Sequence, residues 1–206
     1  LANVFESELG ADTFRPWDNT AKLMKNPPYS DVSDLMDGVS EMLGKTDPYF
    51  ADRFDYMREH GLIDLGDRKG KSPGGFCTSL PVSGDTFVFA NFSPSFFSLI
   101  ALIHEMGHAV NGYLEFSEQG PSEEYHLRME IGELYSHGME LLLLDKLDRF
   151  YPEKEDFKSA QREELRRAFK MLFGPLSGDL FQHWMYTNPQ HTAKERDEKF
   201  FKISKR

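Results

Sequence analysis

The sequence predicts a mainly helical α+β protein, a helical domain with a small antiparallel sheet packed ahead of its central helix. Three observations carry this. From Ser93 onward apolar residues recur at helical spacing almost to the C terminus. Between Leu62 and Phe92, Gly66, Gly70, Gly74, Gly75 and Gly84 punctuate short β-prone runs. The longest apolar segment, Phe96 to Val110, is interrupted by His104-Glu105-Met106-Gly107-His108, a polar insertion that a buried helix must satisfy.

The elements follow in order. The first stretch, Leu1 to Asp18, ends in Phe14-Arg15-Pro16-Trp17-Asp18, where proline stops regular structure. Asn26-Pro27-Pro28 is a linker. Asp31-Val32-Ser33-Asp34 opens a helix carrying Leu35, Met36, Val39, Met42 and Leu43, with Gly44 as its stop. A second helix runs from about Pro48 to His60, closed by Gly61. These make residues 1–61 a helical lead-in. Strands are expected at Leu62–Leu65, Phe76–Leu80 and Thr86–Phe92, with Pro81 to Asp85 as a hairpin connection, so residues 62–92 form the sheet.

Residues 93–206 form the helical part. Ser93-Pro94-Ser95 supplies a cap and first-turn proline for a helix to about Glu115. Further helices are expected over Ser122–Phe150, Glu155–Phe173, Leu176–Tyr186 and Thr192–Ile203, with Gly174-Pro175 breaking the middle of this series. The whole, 1–206, reads as one domain or as a piece of a larger chain, since it opens on Leu1 and not Met.

Bulk properties exclude some partners. A formal charge of −10 and a pI near 5.2 repel nucleic acid and anionic membranes. No apolar stretch reaches the ~18 residues of a membrane span, and no signal peptide is evident. Cys77 is the only cysteine, so no internal disulfide can form, which fits a reducing, cytoplasmic setting.

The chemistry centres on His104 and His108. Four residues apart on a helix, they lie about one turn, ~6 Å, along one face, where one metal ion can reach both. Zinc needs a third protein ligand and, in a catalytic site, keeps a fourth position open. The next helix offers Glu130, Glu133, His137 and Glu140 as one acidic stripe. Glu133 is expected to be the third ligand of a single zinc ion, with Glu130, one turn earlier, holding the ring N–H of a ligand histidine. Glu105, rotated ~100° from His104, flanks the ion and serves as general base in amide hydrolysis. His137, His183 and His126 read as structural, and Cys77 as a small buried hydrophobe. Gly107 costs ~1 kcal/mol against alanine in a helix interior, which points to a tight packing contact there.

These residues resemble the oligoendopeptidase F and thimet oligopeptidase group of zinc peptidases, most nearly its oligoendopeptidase F branch. The resemblance rests on His-Glu-x-Gly-His at His104–His108 and on Glu-x-x-Ser one helix later, Glu133-Leu134-Tyr135-Ser136. Gly70-Lys71-Ser72-Pro73-Gly74-Gly75-Phe76-Cys77 and Phe87–Phe92 are similar to the group's glycine-rich stretch and following strand. Arg15-Pro16-Trp17-Asp18 and Phe181-Gln182-His183-Trp184-Met185-Tyr186 extend the match from about residue 14 to about 198.

The resemblance implies a zincin-like helical catalytic domain around a channel that admits short peptides. It implies a metalloendopeptidase cutting internal bonds, with His104, His108 and Glu133 as ligands and Glu105 as base. It also implies substrate along the edge of the small sheet, giving Phe89, Ala90 and Asn91 a backbone-pairing role. The group continues past the position of Arg206 into a segment with a His and several Tyr residues, so this chain is expected to be a central piece of a larger enzyme. Two rival readings stay open: a non-catalytic zinc- or peptide-binding scaffold, and a zinc carboxypeptidase.

Overall fold

The computed structural model describes residues 10, 24–27, 29–120 and 129–204, with the side chains of residues 119, 129, 130 and 172–174 left aside. The Arg15–Asp18 motif, His126 and the start of the helix expected at Ser122 lie outside the described residues. The chain divides into two compact units, Leu1–Arg162 and Glu163–Arg206.

In the first unit, helix α1 (Val32–Thr46) starts where Asp31 caps it, its carboxylate accepting the Asp34 N–H at 3.0 Å. Leu35, Met36, Val39, Met42 and Leu43 form its buried face. Helix α2 (Pro48–Glu59) has Asp47 as cap and Pro48 in its first turn. Its apolar anchors Phe54 and Met57 are fully buried.

Three short strands follow: β1 (Ile63–Asp64), β2 (Phe76–Leu80) and β3 (Asp85–Phe89). The order across the sheet is β1-β3-β2. β2 and β3 form the expected antiparallel hairpin, Phe76 opposite Phe89 and Leu80 opposite Asp85. β1 instead runs parallel to β3, with Ile63 opposite Val88, so the sheet is mixed and not purely antiparallel. The cause is connection length: the long Gly-rich loop from Leu65 to Gly75 carries the chain across to the far side before the hairpin returns it to the centre.

Helix α3 (Phe96–Gln119) is the axis of this unit. Ser95 caps it by accepting the Ser98 N–H. Leu99, Ile100, Leu102, Ile103, Met106, Ala109 and Val110 are buried around most of its circumference, because α1, α2, the sheet and helix α4 (Met129–Leu142) all pack on it. The helix runs one turn beyond Glu115 and stops at Gly120, whose φ of +73° is open to glycine at no steric cost.

Two expected boundaries differ. The helix expected to reach Phe150 ends at Leu142, and a 3₁₀ segment covers Leu144–Arg149. Four consecutive leucines, Leu141 to Leu144, cannot share one helix face. Leu141 and Leu142 stay exposed, and the tighter turn brings Leu143, Leu147 and Phe150 into the core. The Phe150 ring then fills the place where a side chain at Gly38 would stand.

The second difference is at Gly174-Pro175. Helix α5 (Lys154–Thr187) passes through Pro175 without ending. Proline removes one backbone donor and crowds one carbonyl, a local cost of ~3 kcal/mol, and the turns on either side keep their own hydrogen bonds. In the second unit, the end of α5 packs on α6 (Ala193–Ser204) through Phe181 and Phe200, ring centroids 5.1 Å apart. Thr192 and Glu195 form a capping box at the start of α6.

Candidate metal centre and active site

Helices α3 and α4 meet at Gly107. A Cβ at that position would stand 2.5 Å from Ser136 Cα and 2.6 Å from Tyr135 O, so only glycine lets the two backbones come this close. The packing contact expected from its helix cost is therefore present, and it sets opposite each other the polar residues on either side of it.

From α3, His104 and His108 stand edge to face with ring centroids 4.9 Å apart. From α4, Glu133 projects towards both. Its Oε2 lies 3.4 Å from His104 Nε2, and its Oε1 lies 3.9 Å from His108 Nε2. The Ser136 hydroxyl, fully buried, donates to Glu133 Oε2 at 3.0 Å and fixes that carboxylate. This gives the Glu-x-x-Ser pattern a physical meaning: the serine orients the glutamate from the next turn of the same helix.

Glu140, 4 % exposed, lies two turns beyond Glu133. Its Oε1 is 2.6 Å from His104 Nδ1 and 3.2 Å from His137 Nδ1. A carboxylate only accepts, so His104 Nδ1 carries the proton and its Nε2 lone pair is turned to Glu133. The role expected of Glu130, holding a histidine ring N–H, is filled at His104 by Glu140; the Glu130 side chain lies outside the described residues. His137 also enters the cluster, its Nε2 3.8 Å from Glu133 Oε2. His104, Glu133 and His137 form a group whose ligand atoms all lie within 4.8 Å of one another.

The donor set fits a zinc ion. A tetrahedral ion with bonds of ~2.1 Å holds its ligand atoms about 3.4 Å apart. The His104–Glu133 separation of 3.4 Å matches that edge; His108 Nε2 lies 3.9 Å from the other Glu133 oxygen and outside the group of donors within 4.8 Å of one another.

Electrostatics follow from burial and carboxylate crowding. Burial opposes protonation of His104, but its hydrogen bond to Glu140 and the charges of Glu140, Glu105 and Glu133 outweigh this and raise its pKa. His108 shifts down, through burial and then the neighbouring His104 charge. Glu105, 8 % exposed, is pushed up by burial, with His104 pulling it down and Glu133 pushing it further up. A buried carboxylate of raised pKa beside a cluster of metal donors is equipped to carry a proton.

The Glu105 carboxylate faces the start of β2. A side chain at Gly75 would come 3.4 Å from Glu105 Oε1 and 3.3 Å from Phe89 O. The loop before β2 is pinned from beneath. Asn91 donates its amide to Ser72 O at 2.9 Å and Gly74 O at 3.0 Å. Lys71, almost wholly buried, donates to Asp64 O, Asp64 Oδ1, Gly66 O and Ala90 O at 2.7–3.0 Å. Cys77 lies in the same region; burial, reinforced by the Glu105 charge, pushes its thiol up to about 12.

The backbone-pairing role expected of Phe89, Ala90 and Asn91 falls at the end of β3 and just past it. β3 is the central strand. The Ala90 N–H donates to Asp64 O at 3.0 Å, Phe89 pairs with Phe76, and the Asn91 side-chain amide holds the loop. Among the described residues β1 and β2 are the two edge strands; β2 is the longer, and four of its five residues are exposed.

Ser136 and Glu140 are site residues that sequence reasoning left without a role, and His137, read there as structural, stands in the same cluster. The signal for them was present in the acidic stripe, where Glu140 and His137 repeat the helical spacing from Glu133.

The model of peptidase family M3 matches residues 1–206. No curated protein is a significant match. Among solved structures, a protein from Bacillus anthracis str. Ames named as oligoendopeptidase F is 27% identical with a TM-score of 0.87. It is matched over 100% of this chain and 38% of its own. PZ peptidase A, solved with an inhibitor, is 29% identical with a TM-score of 0.85, over 98% of this chain and 36% of its own. A further structure named as oligoendopeptidase F is also 29% identical, with a TM-score of 0.84 over the same shares. This chain thus spans less than two fifths of the length of the structures it matches. Its similarity covers the helices and the sheet that build the site just described. The chain belongs to peptidase family M3, on the oligoendopeptidase F side of it.

Proposed function

We propose that this chain carries the zinc centre of a metalloendopeptidase that hydrolyses internal amide bonds of short peptides. His104, His108 and Glu133 would hold one zinc ion, and Glu105 is the general base. The observation that carries the reading is the convergence of His104 Nε2 and His108 Nε2 on the two oxygens of Glu133, with the buried Glu105 beside them.

When bound, zinc supplies Lewis acidity towards the scissile carbonyl and makes water acidic enough to attack at neutral pH. The chain's own residues do the rest. Glu140 fixes the tautomer and direction of His104. Ser136 holds Glu133. Glu105, whose pKa burial has raised, accepts the proton of the attacking water and returns it to the leaving amine. The free edge of β2, leading from Gly75 beside Glu105, offers main-chain donors and acceptors to an extended peptide. The single cysteine suits a reducing, cytoplasmic setting, and among the described residues no helix is long and apolar enough to cross a membrane.

Metal analysis paired with a quenched-fluorescent peptide assay tests this on the wild type and Glu105→Gln. The expected result is about one zinc on each protein, with cleavage only by the wild type. Zinc on both with no cleavage by either supports the scaffold reading. Release of C-terminal residues in place of internal cuts supports a carboxypeptidase. Absence of zinc from the wild type removes the proposal altogether.

A further inference from the structure

We propose that His137 is a fourth protein ligand of the zinc ion, competing for the position that water needs; this rests on the reading above that the site binds zinc. His137 repeats the arrangement of His104 on the other helix. Both rings place Nδ1 on the same oxygen of the buried Glu140, at 2.6 and 3.2 Å, and both turn Nε2 to the same oxygen of Glu133, at 3.4 and 3.8 Å. The two rings stand edge to face with centroids 5.0 Å apart.

A carboxylate on the far nitrogen is the device that orients a histidine for metal binding, because it fixes the tautomer and leaves Nε2 as the donor. Glu140 applies it twice. A histidine kept only for packing has no need of a buried carboxylate on one nitrogen and a metal-binding carboxylate on the other. Among the described residues, His104, Glu133 and His137 form the donor group whose ligand atoms lie within 4.8 Å of one another, and His108 adjoins it through the second oxygen of Glu133, at 3.9 Å.

With His104, His108, Glu133 and His137 all engaged, a four-coordinate zinc has no vacancy, whereas catalytic zinc sites keep three protein ligands. The centre is then self-capped, and His137, a third exposed, must withdraw before water can bind. Both states share His104, His108 and Glu133.

X-ray absorption spectroscopy of the zinc-loaded chain counts the imidazoles, and competition with a chromophoric chelator measures affinity; both are run on wild type, His137→Gln and His108→Gln. The expected wild-type count is three imidazoles, falling to two in either variant. Removing a group that merely orients a ligand costs about 10–100-fold in metal affinity, so His137→Gln is expected to bind zinc at least about tenfold more weakly. Two imidazoles on the wild type overturn the assignment whether or not the variants fold. A weaker affinity in His137→Gln with an unchanged imidazole count also overturns it. Either result leaves the zinc centre itself standing, whereas a wild-type chain that takes up no zinc overturns both.

Discussion

Gly107 faces Ser136 at a distance that leaves no room for a methyl group, which would stand 2.5 Å from the Ser136 Cα. The contact is backbone on backbone, so no side chain can swing aside. Gly107→Ala gains ~1 kcal/mol of helix propensity but overpacks the interface, at about 1–3 kcal/mol. The expected net outcome is a lower melting temperature together with weakened zinc binding, as α4 and Glu133 are pushed outward. Gly138→Ala is the control. It lies inside the same helix with nothing within 4 Å of the new methyl, and is expected to stabilise by about 0.5–1 kcal/mol.

Lys71 supports the loop that ends beside Glu105. Lys71→Met keeps the length of the side chain and removes its donors to Asp64, Gly66 and Ala90. Asp64 O also accepts from the Ala90 N–H, and Asp64 Oδ1 and Gly66 O also accept from Arg68, so the loss falls on Ala90 O, and one buried acceptor left unpaired costs about 1–3 kcal/mol. A loss of about 1–3 kcal/mol is expected in denaturant unfolding, and greater protease sensitivity in the stretch from Gly66 to Gly75.

Zinc must displace a proton from His104, whose pKa stands above that of an ordinary histidine, ~6.5. Apparent zinc affinity is therefore expected to fall as pH is lowered through the His104 value, beginning above pH ~6.5. For the metal-free chain the sign is opposite. A raised histidine pKa contributes stability that is full below ~6.5 and lost as pH rises through the folded value. Glu140→Gln removes the largest raising influence, so it should move both limbs to lower pH. Calorimetry in buffers of different ionisation enthalpy measures the protons released.

Cys77 is expected to be slow towards thiol reagents. With a pKa pushed up to about 12, its thiolate fraction at pH 8 is ~10⁻⁴, against about a quarter for a free thiol of pKa ~8.5. Alkylation of the folded chain should run about 10³-fold slower than in denaturant. A rate near that of a free thiol would contradict the burial described for this residue.

Much of this site was legible in the residues because helical spacing is a geometric fact. His104 and His108 had to share a face, and Gly107 had to have a reason. Glu133 could be picked from a stripe by its fit to a two-histidine shell. What spacing could not tell was which stripe member reaches which ring. Glu130 and Glu140 both lie on the face of α4 that carries Glu133, and only the tilt of α4 on α3 puts Glu140 on His104. The sheet shows the same limit from the other side. Thr86–Phe92 was recognisable as strand sequence, yet its central place follows from how far the Gly-rich loop carries the chain, which no local pattern records. The 3₁₀ segment after Leu142 was likewise hidden, because a leucine run suits a helix until its neighbours decide which leucines are covered.

The open edge of β2 has one more implication. The outward-facing backbone groups of this five-residue strand, which carries Phe76 and Leu80 and is followed by the almost fully exposed Val82, form a template for any extended chain, including another copy of this one. Two such edges can pair antiparallel without any change in sequence, and a charge of −10 per chain is what opposes the encounter. At raised ionic strength that repulsion is screened. The isolated chain should then self-associate as salt and concentration rise, and a bound peptide should keep it dispersed.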